Sequence, residues 1–276
     1  MKVAEDFKFS QNNLQDFTDC RRRFWYKYEQ KLSWPALEAE PAIENERFMR
    51  AGSAFHQLVH QYIIGIPADK IEAVIAEDRL LPKWWQNFIG NIPFDENETL
   101  FPEQMLMTRL TGKLVVAKYD LIVQHKDGQI TIYDWKTSKR HPGRERLASR
   151  MQTKVYPFVL ANGANKLSPD QSISPEKIQM VYWFSNHPDD PEIFQYSQEQ
   201  FEKDKTEIST LLDEITGLAG ADAFPLTLNL SHCKFCRYRS LCDRGVEACD
   251  LDEMAFFDEP ADAFDIDFNE TAPIEY

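Results

Sequence analysis

The sequence predicts an α/β fold: a sheet made of a three-strand meander and one further strand, covered by helices. Two observations predict it. Between Leu100 and Lys136 three apolar, β-branched runs follow one another, and the last two flank Asp127-Gly128, a dipeptide suited to a tight hairpin turn. On either side of that stretch, apolar residues recur at helical spacing instead.

Taken in chain order, Ser10 reads as an N-cap. Leu14, Phe17, Arg21, Phe24 and Tyr28 follow at helical spacing, which predicts a helix over residues 11–29 with Cys20 on it. A second helix is predicted over about 43–64, with Phe48, Phe55, Leu58, Val59 and Tyr62 toward the core and small residues at Gly52-Ser53-Ala54. Residues 69–90 predict two helical pieces broken at Pro82, and Trp84-Trp85 is assigned to packing rather than to base stacking. Strands are expected over 100–110, 113–125 and 129–136, and an apolar, buried strand over 177–185. Helices near 145–161 and 198–218 cover the sheet. No internal repeat is present.

With 276 residues, 43% of them hydrophobic, the chain has enough apolar material for a sizeable core. It has no apolar run of the roughly 18 residues that a membrane span needs, and Met1 to Ser10 carries charges where a secretory leader would be apolar. A cytoplasmic protein without membrane contact is expected. The net charge of −14 argues at first against a nucleic-acid partner. Its distribution weakens that argument. Residues 250–276 hold ten Asp or Glu and no Lys or Arg, which leaves the first 249 residues at −4. The chain therefore divides into a folded unit, 1–249, and an acidic tail, 250–276. That tail alternates acidic residues with Phe256, Phe257, Phe264 and Phe268, a composition expected of a disordered or partner-binding segment. A solvated tail that aids solubility is the other reading. Basic clusters remain at Arg21-Arg22-Arg23 and from Lys136 to Arg150.

Chemistry gathers on the hairpin. Successive side chains on a strand point to opposite faces, so Asp134 and Lys136 share one face and Trp135 takes the other, with Asp120 of the partner strand able to join the first. Two carboxylates and an ammonium are expensive to bury unless paired or given a metal. A divalent-metal phosphodiesterase site uses all three. Magnesium or manganese takes such oxygen ligands, and an imidazole at the edge, His56, suits manganese or a mixed preference. Lys136 would then orient or polarise the attacking water. The bland alternative for Asp134 and Lys136 is an exposed cross-strand pair worth at most about 1 kcal/mol. His60 is a second-choice ligand at i+4 from His56, and Glu103 a further carboxylate that no spacing requires. Gln152 and Tyr156, also four apart, share a helix face from which an amide and a phenol can donate to phosphate oxygens. Taken alone, they read better as an exposed amide and a core tyrosine.

The cysteines form a third group. Cys233, Cys236 and Cys242 follow C-x2-C-x5-C, with Cys20 far away near the N-terminus. In an intracellular chain such spacing points to metal or cluster binding rather than disulfides. Four thiolates suit an iron-sulfur cluster or tetrahedral zinc, and zinc held by His232 with three cysteines is the alternative. Cys249 is left as a free thiol.

Together, G-x-x-x-H at Gly52 to His56, Asp120, D-x-K at Asp134 to Lys136 and Q-x-x-x-Y at Gln152 to Tyr156 occur in an order that resembles the PD-(D/E)XK nucleases of the RecB type. With the cysteines added, the chain is similar to their iron-sulfur subset, which includes the AddB nuclease domain and CRISPR-associated exonucleases. The resemblance covers roughly residues 10–245. It implies a restriction-endonuclease-like core, a central mixed sheet flanked by helices, with an iron-sulfur staple joining helical N- and C-terminal parts. It also implies a Mg2+- or Mn2+-dependent deoxyribonuclease acting on single-stranded DNA or DNA ends, in repair, recombination or CRISPR-related processing. By the same resemblance His56, Asp120, Asp134 and the Trp135 carbonyl hold metal, Lys136 is catalytic, and Gln152 and Tyr156 contact DNA. Cys20, Cys233, Cys236 and Cys242 hold a 4Fe-4S cluster. Tyr119 stands where the family usually has a glycine before the first Asp. The competing functions are a non-catalytic nucleic-acid-binding or scaffold protein that keeps the fold and cluster, and a structure-specific or RNA-directed endonuclease.

Overall fold

A computed structural model of the chain describes residues 3–4, 6–32, 42–95, 97–163, 173–234 and 236–245. The acidic tail and Cys249 lie outside the described residues. Six strands form one mixed sheet: β1 (Lys8–Phe9), β2 (Thr99–Leu110), β3 (Lys113–Gln124), β4 (Ile130–Lys136), β5 (Ile178–Phe184) and β6 (His187–Gln195). β1–β3 and β4–β5 are parallel, and β2–β3, β3–β4 and β5–β6 antiparallel. β2 pairs along the whole of β3, so β1 and β4 share the other edge of that strand, at Leu114-Val115 and Leu121 to Gln124 respectively. Between those two pairings lies Asp120.

The helices are α1 (Gln11–Asp19), α2 (Arg21–Phe24), α3 (Ala42–Ile63), α4 (Ala68–Ile75), α5 (Leu81–Gly90), α6 (Arg144–Ala148), α7 (Met151–Gly163) and α8 (Gln198–Gly217). Each sheet face carries its own core. On one side Ile122, Ile132, Met180 and Tyr182 meet Leu14 and Phe17 of α1, Val155 and Val159 of α7, and Ile208 and Leu212 of α8. On the other, Leu121, Tyr133, Trp135 and Trp183 meet an aromatic layer of Phe55, Trp84, Trp85 and Phe88. Trp84 and Trp85 are buried, as packing requires. Among the described residues no helix is long and apolar enough to cross a membrane.

Four details depart from the sequence reading. The expected helix over 11–29 is interrupted at Cys20, whose backbone is extended (φ −160°, ψ 107°), and it continues as α2 and a wider π turn over Trp25–Glu29. Pro82 opens α5 instead of breaking a helix, because a proline in the first turn removes an amide that has no intrahelical acceptor anyway. The break comes earlier, where the Asp78 Oδ1 accepts from the amides of Leu80 and Leu81 at 2.8 and 3.0 Å. The hairpin turn spends only Gly128 on a positive φ (+85°), its amide donating to the His125 carbonyl at 3.0 Å. β6 had no counterpart in the reading, since its Pro188, Asp189, Asp190 and Pro191 protect an edge rather than fill a core.

The alternation of β3 also changes hand. Val115, Ala117 and Tyr119 face the α7 side, and so does Ile122, three residues on from Tyr119. On β2, Phe101 and Leu106 show the same odd-to-even change. The reversal lies at Glu103 and Asp120, which drop out of the β2–β3 ladder while its register is otherwise kept, with Glu103 at φ +51°. Local irregularities of this sort re-aim a side chain.

Two stability consequences follow from this packing. A Cβ placed on Gly163 would lie 2.7 Å from the Met107 carbonyl oxygen, so the last turn of α7 packs on the backbone of β2. Gly163→Ala is expected to destabilise the protein by about 1–3 kcal/mol, read as a lower urea midpoint at unchanged slope. Asp204, 1% exposed on α8, accepts from Gln200 Nε2 at 2.8 Å, and burial pushes its carboxyl up to about 6 against the opposing bonds from Gln200 and Tyr196. A carboxyl raised in the folded state favours folding as pH falls through the window between about 6 and 4, and burdens it above that window. Asp204→Asn should therefore stabilise by about 1–2 kcal/mol at pH 8 and have little effect at pH 4.5. Equal shifts at both pH values would refute this account.

Candidate active site at the end of the β3–β4 hairpin

The β3–β4 ladder runs from Gln124↔Ile130 to Leu121↔Tyr133 and then stops. Beyond it the carboxylate of Asp120 takes over from backbone, its Oδ2 accepting from the Trp135 amide at 2.9 Å. Trp135 itself points into the aromatic layer, against Phe88 at 5.7 Å between ring centroids. Asp134 and Lys136 therefore emerge together on the opposite face, as the two-residue period requires. Lys136 Nζ lies 2.9 Å from Asp134 Oδ2 and 5.6 Å from the centre of the Tyr182 ring. From α3, His56 Nδ1 reaches Asp120 Oδ1 at 3.1 Å. From the first turn of α7, Gln152 donates through Nε2 to Asp134 Oδ1 at 2.5 Å and accepts through Oε1 from Lys136 at 3.1 Å.

Five residues from four elements thus meet at one place: His56, Asp120, Asp134, Lys136 and Gln152. Tyr156 lies beside them, one turn along α7. It is buried in the core, its hydroxyl accepts from Gln11 Nε2 at 3.1 Å and also meets Gln152, and its carbonyl accepts from the Tyr119 hydroxyl at 2.9 Å. Tyr119 is fully buried with its ring 4.9 Å from that of Tyr156, so the bulky residue before Asp120 serves to seat the neighbouring helix. Glu103 turns away to an ion pair with Lys118. No hydrogen bond or ion pair among the described residues joins His60 to either carboxylate.

The electrostatics of the two acids differ. Burial pushes the Asp134 carboxyl up to about 6, partly opposed by Lys136 and reinforced by the charge of Asp120. For Asp120 burial acts in the same direction, but His56, the Trp135 amide and Lys136 outweigh it and hold the carboxyl below its usual range. Two acidic side chains, an ammonium and an imidazole thus gather in one largely buried place. A hard divalent cation fits this donor set of carboxylates and imidazole. As they stand, no three His, Cys, Asp or Glu side chains among the described residues are gathered closely enough to hold an ion.

The cysteines sit at the other end of α1. Cys20 occupies the break between α1 and α2, and Cys233 and Cys242 end two short 3-10 turns, Leu230–Cys233 and Arg239–Cys242. Burial raises the Cys236 thiol to about 11, with Arg23 opposing and the charges of Cys20 and Cys242 adding. Burial likewise raises Cys242, with Cys20 and Cys233 adding. His232 faces Asp19, at 3.8 Å.

The sequence pattern of the PD-(D/E)XK nuclease superfamily matches residues 8–243. The chain belongs to that superfamily. Its core, a mixed sheet flanked by helices, is consistent with the restriction-endonuclease-like architecture. Among curated proteins none matches the chain. Solved structures similar to it include SSO0001, at 18% identity and a TM-score of 0.44 over 87% of each chain. Another is a "Putative exonuclease" from Eubacterium rectale, at 12% identity and a TM-score of 0.45, covering 78% of this chain and 84% of that one.

Proposed function

We propose that this PD-(D/E)XK protein is a Mg2+- or Mn2+-dependent deoxyribonuclease of the RecB-type iron-sulfur subset, an exonuclease acting on single-stranded DNA or DNA ends. The observation that carries the proposal is the convergence of Asp120, Asp134 and Lys136, with His56 and Gln152 in contact with them. Asp120, Asp134, His56 and the Trp135 carbonyl hold the cation. When bound, it supplies positive charge beside the phosphate and makes water more acidic.

The remaining work falls to side chains. Lys136, fixed between Asp134 and Gln152, presents its ammonium to the attacking water and to the charge that develops on the phosphate. The water oxygen bonds to phosphorus and gives up a proton to solvent as the bond from phosphorus to the leaving sugar oxygen breaks, and that oxygen takes up a proton from solvent. Gln152 and Tyr156 bind the DNA phosphate. Cys20, Cys233, Cys236 and Cys242 hold a 4Fe-4S cluster that staples the first helix to the C-terminal segment. Residues 1–249 are the nuclease unit, and the tail recruits a protein partner.

Purified protein with manganese and end-labelled single-stranded DNA is expected to release short products, and a circular single strand of the same sequence should survive. Absence of cleavage across magnesium, manganese and several DNA ends would sink the nuclease reading. Cleavage of the circle at the same rate would replace the exonuclease with an endonuclease.

A further inference from the structure

Three polar residues occupy one stripe of α1 at four-residue intervals: Gln11, Gln15 and Asp19. Gln11 reaches Tyr156, and Asp19 accepts from Arg23 at 2.8 Å and faces His232, so the stripe runs from the nuclease site to the cysteine-bearing segment. Gln15 stands between them and is 9% exposed. Its Oε1 accepts from the Met151 amide at 3.0 Å, and its Nε2 donates to Asp19 Oδ1 at 2.7 Å.

The Met151 bond is unusual in purpose. Met151 opens α7, and in a continuous helix its amide would turn to the Leu147 carbonyl four residues back. That carbonyl already accepts from the Arg150 amide at 3.1 Å and the Thr153 hydroxyl at 2.5 Å, because α6 ends at Ala148 and the chain turns before α7 begins. The Met151 amide is buried and needs an acceptor from elsewhere, since a buried amide left without one is strongly disfavoured. Gln15 supplies it. The next residue is Gln152, which binds both Asp134 and Lys136.

We propose that Gln15 is a positioning residue for the nuclease site: by capping the first amide of α7 it sets where Gln152 stands against Asp134 and Lys136. The proposal rests on the nuclease reading above. Gln15 touches none of the reacting groups and acts through Gln152. The stripe also gives its cap a fixed base, because the amide nitrogen of the same side chain is held by Asp19.

The test is a double-mutant cycle in the full chain with end-labelled single-stranded DNA and manganese, combined with amide hydrogen exchange. Gln15→Met should lower kcat about tenfold in the wild-type background and less than about twofold in a Gln152→Ala background, since the two act as a unit. A merely structural role would lower kcat by the same factor in both. Equal factors, or an unchanged kcat in Gln15→Met, would overturn the proposal. The Met151 amide should exchange at least about tenfold more slowly in the wild type than an uncapped first-turn amide. Fast exchange there in the wild-type protein overturns the cap even if the variant fails to fold. Wild-type protein that cleaves nothing overturns the nuclease reading instead, and the Met151 exchange rate then still decides whether Gln15 caps α7.

Discussion

Lys136→Met is expected to lower the rate of phosphodiester hydrolysis by roughly 10²–10⁴-fold, with DNA binding in a non-catalytic cation changed only a few-fold. The substitution keeps most of the apolar stem that runs past Tyr182 and removes only the ammonium. That ammonium's partners in the folded protein include Asp134 Oδ2 and Gln152 Oε1, and both belong to the site. Its loss leaves Asp134, 4% exposed, without its nearest cation, so the damage is chemical and electrostatic together. Asp134→Asn should be as severe, because it removes a charged ligand while keeping the bond from Gln152. Initial rates on an end-labelled strand decide the matter. A Lys136→Met enzyme retaining more than about a tenth of the wild-type rate would remove Lys136 from the chemistry, since positioned proton-transfer and charge-stabilising groups contribute more than that.

Cys236→Ser is expected to give colourless protein with little bound iron or sulfide and a melting temperature lower by about 5–10 °C, because a group that binds only the folded chain stabilises it by mass action. The segment carrying three of the cysteines has no long helix or strand among the described residues. Between Phe224 and Arg244 the elements are short 3-10 turns, and Phe224 and Tyr238 are the residues there that reach the buried interior among those described. Polar ties add to the attachment, among them Arg22 Nε to the Phe224 carbonyl at 2.7 Å and the Tyr238 hydroxyl to the Leu32 carbonyl at 2.9 Å. So small a core needs a staple. Wild-type protein that is colourless and carries stoichiometric zinc would overturn the cluster, and an unchanged melting temperature in Cys236→Ser would remove its structural role.

Much of this arrangement was legible from residue types. The two-residue period put Asp134 and Lys136 on one face and Trp135 on the other, and the helical period put Gln152 and Tyr156 on one side of α7. The reversal at Glu103 and Asp120 is hidden because the runs on either side of it, Val115 to Ala117 and Leu121 to Val123, are apolar and buried on both faces and show no alternation to reverse. Cys20 was placed within a helix because its neighbours keep helical spacing, whereas the interruption is fixed by Asp16, buried against Arg23, Lys27 and Tyr28. β6 was missed because an edge strand is written in prolines and acids. Gln15 had a signal, its four-residue spacing from Gln11 and Asp19, but its partner is 136 residues away and only the folded chain brings it near.

The two cores of the sheet give the site a dependence on completed folding. His56 arrives with the aromatic layer of α3 and α5, and Gln152 and Tyr156 with the opposite layer of α1, α7 and α8. A chain that has packed one layer holds only part of the set. On the ribosome, a product that ends before Gln152 lacks both α7 residues of the site, and one that stops before Cys242 lacks the full quartet of thiols. The site is thus completed late in the protein's own synthesis.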